Sequence, residues 1–447
     1  MNSSQQFLES VMAVRRQPIP AEVMARARRS LQDYLAVTCA GATFQKEKLA
    51  RYWAFAEPES GRFKAIGCQK NLALKESVFL NGLNGHALDF DDGTNAGIIH
   101  LGSPIFSLLL PLAQRHGKRV DEVLAAAIIG YEASFTMAVS IQPGHKALGY
   151  HATGTCGTLG ATLAASLMLG FSDEERFQAF AAAAVAASGM LKVLDDGSEL
   201  KPYNVAKAAL LSLTSLQLAK AGFQGAPDPL GGGRGYFKMM TGQEQVEFKP
   251  VLLNGTYAIQ KSYTKPYASC RYTHPAVEAA IHLRNRHGLK ATDVTGIDVR
   301  TYSLAVSGHD HTEIPGSYSA KMSIPYATAV GLVFGKAGLQ EFSEQMVANP
   351  DILALTRKVQ VQADDELSRA FPKLQSAIVD IHTADQTFTE RVDFPKGEPE
   401  NPLTDQEFRS RYDALMEYGG IAPATAATVF QLAEQPDTLV DELLAGL

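Results

Sequence analysis

The sequence predicts a mainly α protein in which helical segments at both ends of the chain enclose a smaller α+β module. Three observations carry this expectation. Before residue 265, apolar residues recur at helical spacing and the segments are rich in Ala and Gly. From there to about residue 395 the period switches to alternation. After the Pro-rich run PKGEPENP, Pro395–Pro402, helical spacing returns. The expected boundaries are 1–265 for the first part of a helical domain, 266–395 for the α+β module and 396–447 for the C-terminal part of the helical domain.

The helical elements follow in order. Pro20 opens a segment with Met24, Ala27, Leu31, Leu35 and Thr38 on one face, closed by Gly41. Ile105, Leu108, Leu109 and Leu112 mark a second, with Gly117 as its stop. Asp121 is placed to cap a third, carrying Val123, Leu124, Ala127, Ile128 and Tyr131. Ser172 and Glu175 form a capping box ahead of an Ala-rich run. A further helix is expected from about Val205 to Ala221, ended by Gly222. Small residues in these segments let helix axes approach closely.

In the module, Ile297, Val299 and Thr301 alternate, as do Ala377, Val379 and Ile381, then Thr387, Thr389 and Arg391. Val359 and Val361 mark another strand, and helical stretches lie around Pro275–His287 and Tyr326–Phe334. The tail helices are too short to be stable alone, so they are expected to pack back on the first helical part.

Composition narrows the function. Of 447 residues, 46% are hydrophobic and 20% charged, which excludes a mostly disordered chain. A net charge of −6 argues against general attraction to nucleic acid or to an anionic membrane, so an anionic ligand must meet a local cluster of cations. Four dispersed cysteines without a CxxC pair give no zinc ribbon or disulfide scaffold, and the N-terminus has no apolar signal core. The apolar runs Ile105–Ala113 and Ala179–Ala187 are too short to span a bilayer. A cytoplasmic protein is the expectation.

Five passages carry candidate chemistry. NGLNGHALDFDDGTNAGIIHLGSP gathers His86, Asp89, Asp91, Asp92, Thr94 and His100. A metal site would draw on two histidines and several aspartates. An acid–base site would use His100 with a carboxylate to orient it. A solvated loop with helix caps would need neither. GYHATGTCGTLGA sets His151 before a helix start, either to cap it or to join backbone N–H groups in binding an anion. DDGSELKPYNVAKAA supplies Lys201, read as a loop residue before Pro202, and Lys207 within the helix. KSYTKPYASCRYTHPA supplies Lys265, Arg271 and His274. Arg271 there either grips a carboxylate bidentately or stitches a packing seam, and Cys270 is a thiol nucleophile only if a histidine partners it. KMSIPYATAVGLVFGKAG supplies Tyr326, either a proton donor or a core tyrosine.

In order and spacing these passages resemble the MmgE/PrpD family, over about residues 10–420. The family includes 2-methylcitrate dehydratase, cis-aconitate decarboxylase and iminodisuccinate epimerase. The resemblance implies that the α+β module is a lid, that the chain forms a homodimer, and that no metal or other cofactor is needed. The implied substrate is a small di- or tricarboxylate. Carried over position by position, the family's site falls on Asp89, Thr94, His100, His151, Lys201, Lys265 and Tyr326. The chain departs from the family pattern in having Gly93 before Thr94, and Leu101-Gly102 after His100.

The implied mechanism is proton abstraction next to a carboxylate. Lys201, Lys265 and Arg271, with Thr94, bind the substrate. One of His100 and His151 is the base and the other a donor. Asp89 orients a histidine or receives a proton, and Tyr326 donates from the lid. A 2-methylcitrate dehydratase-like lyase is the first choice, with epimerase-like and decarboxylase-like chemistry as alternatives. Two other classes stay open: a metal-dependent hydrolase built on His86, Asp91, Asp92 and His100, and a non-catalytic helical binding module.

Overall fold

The computed structural model describes residues 1–194, 198–249, 252 and 255–447. Two compact units emerge. The first comprises Met1–Lys192, Leu200–Ser262 and Glu407–Leu447; the second comprises Val193–Glu199 and Tyr263–Gln406. The C-terminal helices therefore belong with the N-terminal ones. The Pro-rich run, which the sequence placed at a boundary, is built into the second unit. Thr264 N–H donates to the Gly397 carbonyl, and Glu398 pairs with Arg271.

In the first unit the helices Ala21–Phe44, Leu74–His86, Gly102–His116, Val120–Ile141, Ala152–Met168, Asp173–Ala186 and Lys201–Lys220 form the core. The helix Ala152–Met168 is buried at all 17 positions, and so lies at the centre of the bundle. Its Ala, Gly and Thr residues allow that. A Cβ on Gly160 would lie 1.9 Å from Ser134 Oγ and 2.5 Å from the Gly130 carbonyl oxygen of the helix Val120–Ile141. A Cβ on Gly82 would lie 2.6 Å from Ala206 Cα. These helices cross backbone to backbone. We predict that Gly160→Ala lowers stability by about 3 kcal/mol, since the obstacle includes backbone that must move. Chemical denaturation measures it, and an unchanged midpoint would contradict the crossing.

Several helix ends follow the sequence, but Gly41 does not close its helix: the helix runs on from Ala21 to Phe44, and Gly41 instead lets it approach the Asn84 carbonyl. Gly117 closes its helix with φ 59°, and Ser172 and Glu175 cap each other reciprocally. Asp121 is not a cap. The helix begins at Val120, Glu122 accepts the Arg119 backbone N–H, and Asp121 pairs with Arg28 at 2.9 Å. At 22 residues, Val120–Ile141 is long and apolar enough to cross a membrane, a stretch the sequence reading passed over. It is instead a core helix, 83% buried over its most apolar window, and its buried Glu132 accepts the Ala258 N–H at 2.5 Å. A small hairpin, β1 (Ser60–Ala65) with β2 (Lys70–Leu72), was not expected; it covers Leu49 and Leu80.

The second unit holds a four-stranded mixed sheet of β3 (Val294–Thr301), β4 (Val359–Ala363), β5 (Ala377–Thr383) and β6 (Thr387–Val392), in the order β4-β3-β5-β6. β3 runs parallel to β4 and antiparallel to β5, and β5 runs antiparallel to β6. Val299 sits opposite Val361 on one side and Val379 on the other. Alternate residues of β3 and β5 are buried, as a sheet covered on one face requires. The helix His274–His287 packs on β5 and β6 and on the helix Ile324–Phe334.

Candidate active site

The site in the first unit is built by the turn after the helix Leu74–His86. Asp89 takes φ 50°, a left-handed conformation that aspartate tolerates and that sharply redirects the chain. The next loop closes on itself. Thr94 N–H donates to the Ile99 carbonyl at 2.9 Å, and Ile99 N–H returns to Thr94 at 3.3 Å. Ile98 sits at φ 51°, unusual for a β-branched residue and a mark of local strain. Of the departures noted above, Gly93 and Leu101 flank this loop, and Gly102 opens the helix Gly102–His116. Gly102 has a reason to be glycine: a Cβ there would meet Tyr131 Oη at 2.5 Å and Asp92 Oδ1 at 2.9 Å.

The loop presents His100, held at three points. Its backbone N–H donates to Thr153 Oγ1 at 3.1 Å. Its Nδ1 lies 2.9 Å from the Asp92 carbonyl oxygen and 3.3 Å from Asp91 Oδ1. Both neighbours are acceptors, so Nδ1 carries a proton, and whenever the ring is neutral its lone pair is on Nε2. Nε2 stands 3.5 Å from Asp89 Oδ1, and that same oxygen accepts from Lys201 Nζ at 2.7 Å. A carboxylate thus lies where an imidazolium would form.

Behind this pair, two adjacent buried aspartates have opposite fates. Asp91 accepts from His86 Nδ1 at 2.7 Å and from Ser103 Oγ at 2.7 Å. Burial opposes its ionisation, but the His100 and His86 imidazoles more than offset this and hold its carboxyl well below the usual range. Asp92 accepts from Tyr131 Oη at 2.6 Å and from Gly102 N–H at 2.9 Å, yet burial lifts it to about 6. A raised carboxyl stabilises the fold while protonated, fully below the unfolded value near 4, and this stability is lost as pH rises through about 6. The shift corresponds to roughly 3 kcal/mol. We predict that Asp92→Asn gains stability relative to the parent protein between pH 5 and pH 8. Parallel melting profiles would contradict it.

His151 occupies the position before the helix Ala152–Met168 and does not cap it with its side chain, which decides against that reading. Its ring nitrogen Nδ1 faces Asn204 Nδ2 at 3.1 Å. Burial, with the nearby Lys201 ammonium and the other two histidines, holds His151 well below the ordinary histidine range, so it is neutral. The rings of His86 and His100 are 4.5 Å apart, and those of His86 and His151 6.4 Å apart. Lys201 is not a loop residue: it opens the helix Lys201–Lys220, with Pro202 in the first turn. Asp195, Asp196 and Gly197 of the same passage lie outside the described residues. Thr94 is buried, and its hydroxyl has no hydrogen-bond partner among the described residues.

The other expected site residues belong to the second unit. Lys265 is 1% exposed. Arg271 is a structural residue. Its guanidinium holds Glu398 through both Nε and Nη2, and also donates to His274 Nδ1 and to the Pro395 and Lys396 carbonyls. All five N–H groups are thereby used within the unit, and none is left to grip a substrate. Tyr326 is fully buried, and its hydroxyl donates to the Glu341 carbonyl at 3.0 Å. Burial pushes its pKa up, so the hydroxyl stays protonated, and its engagement with the Glu341 carbonyl favours the core reading. We predict that Tyr326→Phe costs about 1 kcal/mol of stability and leaves kcat within twofold; a large kcat loss without unfolding would restore the donor role. Cys270 does have a histidine partner, His309, with Sγ 3.6 Å from Nε2 and Nδ1 on the Ser307 carbonyl. That pairing is invisible in sequence because 39 residues separate the two.

One atom from each of His86, Asp89, Asp91 and His100 falls within 4.8 Å of the others, a spacing that can hold a metal ion. The hydrogen bonding argues for a different use. Both Nδ1 atoms are turned to Asp91, and Lys201 places an ammonium on Asp89. That charge would repel a divalent ion.

Sequence reasoning assigned no role to Ser103, Tyr131 and Asn204. Tyr131 was seen only as a helix-face residue and Asn204 only as part of a passage. Their buried polar partners lie 12, 39 and 53 residues away. Three polar residues on otherwise small or apolar helix faces were the available signal.

Comparison with known proteins places the chain in a family. Residues 5–249 match the MmgE/PrpD N-terminal domain and residues 267–435 match the MmgE/PrpD C-terminal domain. The cis-aconitate decarboxylase of Mus musculus is 24% identical over 350 residues, 76% of this chain and 71% of its own length. The cis-aconitate decarboxylase of Homo sapiens is 23% identical over 415 residues, 88% of this chain and 83% of its own length. With both domain matches in sequence order over most of its length, the chain belongs to the MmgE/PrpD family.

Proposed function

We propose that the protein is a lyase that removes a proton from the carbon next to a carboxylate of a small di- or tricarboxylate, with dehydration as its reaction. The observation that carries this reading is the orientation of His100. Two acceptors fix its Nδ1–H, and its Nε2 lone pair lies beside the Asp89–Lys201 pair. Nε2 takes the proton, and the electron pair passes onto the neighbouring carboxylate. Lys201 stabilises the charge that develops there. The pair then forms the C=C bond as the β-hydroxyl departs. His151 gives its Nε2 proton to that hydroxyl, which leaves as water. The His151 imidazolate left behind, with the Lys201 ammonium nearby, recovers a proton from solvent as His100 releases its own. Thr94 offers a hydroxyl to the substrate, and Lys265 is assigned to a further carboxylate. Asp89 meets the imidazolium of His100.

A second reading, decarboxylation, is favoured by one observation: the named activity of the mouse and human relatives. There CO2 leaves and a donor protonates the carbon. Incubation with methylcitrate, citrate, cis-aconitate and iminodisuccinate, followed by NMR and CO2 capture, separates these outcomes. Alkene and water from a hydroxy acid support dehydration. CO2 from cis-aconitate supports decarboxylation, and inversion without loss of water or CO2 supports an epimerase. No product from any of them overturns the proposal, and loss of activity on chelation would favour the hydrolase.

A further inference from the structure

We infer that Asn204 is a positioning residue that holds His151 as the tautomer with its proton on Nε2, and so makes it the donor that complements His100. The inference rests on the proposed proton-transfer reading for its purpose, but the tautomer is a property of the resting protein.

The orientation of the Asn204 amide follows from its three partners. Nδ2 lies 3.1 Å from His151 Nδ1 and 3.4 Å from the Met190 carbonyl oxygen. Oδ1 accepts from Lys207 Nζ at 3.4 Å, one turn further along the helix. Rotating the amide would set oxygen against the Met190 carbonyl and NH2 against an ammonium, two repulsive contacts in place of two attractive ones. Asn204 is 3% exposed, so water does not readily compensate either loss. Nδ2 therefore donates to His151, and a nitrogen that accepts carries no proton. In a neutral ring the proton is then on Nε2, which makes no hydrogen bond among the described residues.

The surroundings lock this arrangement. His151 N–H donates to the Gly189 carbonyl at 3.0 Å, Leu191 N–H donates to Gly149 at 2.8 Å, and Tyr150 pairs with Met190. The isolated bridge so formed fixes both His151 and the Met190 carbonyl that orients the amide. Gly189 sits at the junction, where a Cβ would meet Asn204 Oδ1 and the His151 carbonyl oxygen, each at 3.3 Å.

The two histidines are thus held by opposite chemistry. Acceptors surround His100 Nδ1, and a donor faces His151 Nδ1. A donor on Nδ1 withdraws charge from the ring and makes Nε2–H more acidic. The site would otherwise contain two rings of undefined role. Here one is fixed to accept a proton and one to release it.

The test is long-range 15N–1H NMR of the full chain labelled with 15N-histidine, with His151 assigned by its absence in His151→Gln. The parent protein is expected to show His151 protonated on Nε2 alone at pH 7. Asn204→Asp, which presents acceptors, is expected to move the proton to Nδ1 or to protonate both nitrogens. Asn204→Ala is expected to give mixed tautomers. In steady state Asn204→Asp is expected to lower kcat about 10²-fold with KM within threefold, which loss of a donor predicts and general loosening does not. A parent His151 protonated on Nδ1, or spectra and kcat unchanged in both variants, overturns the inference. Should Asn204→Asp fail to fold, Asn204→Ala alone decides. If the tautomer is as inferred but no polycarboxylate reacts, the functional proposal fails and the inference stands.

Discussion

His100→Gln is expected to lower kcat about 10³-fold, the loss usual for removing a positioned general base, with a melting temperature near that of the parent. Gln retains the backbone N–H that donates to Thr153 Oγ1, so the loop keeps its anchor. It cannot take a proton. The loss should fall on kcat more than on KM, because in the proposed reaction the ring acts on the reacting carbon and not on the substrate's carboxylates. His100 is buried, at 8% exposed, but glutamine fills much of the same volume, so the replacement opens little cavity. A variant that keeps more than a tenth of the parent kcat contradicts the assignment.

Lys201→Met is expected to reduce kcat/KM at least 10²-fold and to destabilise the fold as well. The ammonium is 2.7 Å from Asp89 Oδ1, and the side chains are only 12% and 6% exposed. Removing one partner of a buried pair costs about 3–5 kcal/mol, because the remaining charge loses its counter-ion. The two losses are separable. Lys201→Met with Asp89→Asn should recover most of the stability and none of the activity. Recovery of activity in the double variant would mean that Lys201 serves the fold and not the substrate. Urea denaturation and steady-state kinetics on the same preparations supply both readings.

The sequence made the local features legible because their causes are local. Gly117 ends its helix through a left-handed residue, Ser172 and Glu175 cap across three residues, and alternation of Ile297, Val299 and Thr301 marks a strand covered on one face. His100, His151, Lys201 and Asp89 could be picked out as chemically capable, and the first unit gathers them through loops and helix starts. What the sequence left open was decided by long-range partners. Arg271 could grip a carboxylate or stitch a seam until Glu398, 127 residues away, took it. Tyr326 reads as donor or core until its hydroxyl is seen to donate a hydrogen bond to the Glu341 carbonyl. Asn204 stood out only as a polar residue on a small-residue helix face, because its effect lies in which way an amide faces.

The direct measurement is the fate of one hydrogen. With deuterium placed on the carbon next to the reacting carboxylate of whichever substrate turns over, the account predicts a product from which that deuterium has been lost to water, formed with a primary isotope effect, and no such release by His100→Gln. Product that retains the deuterium at full rate would contradict it.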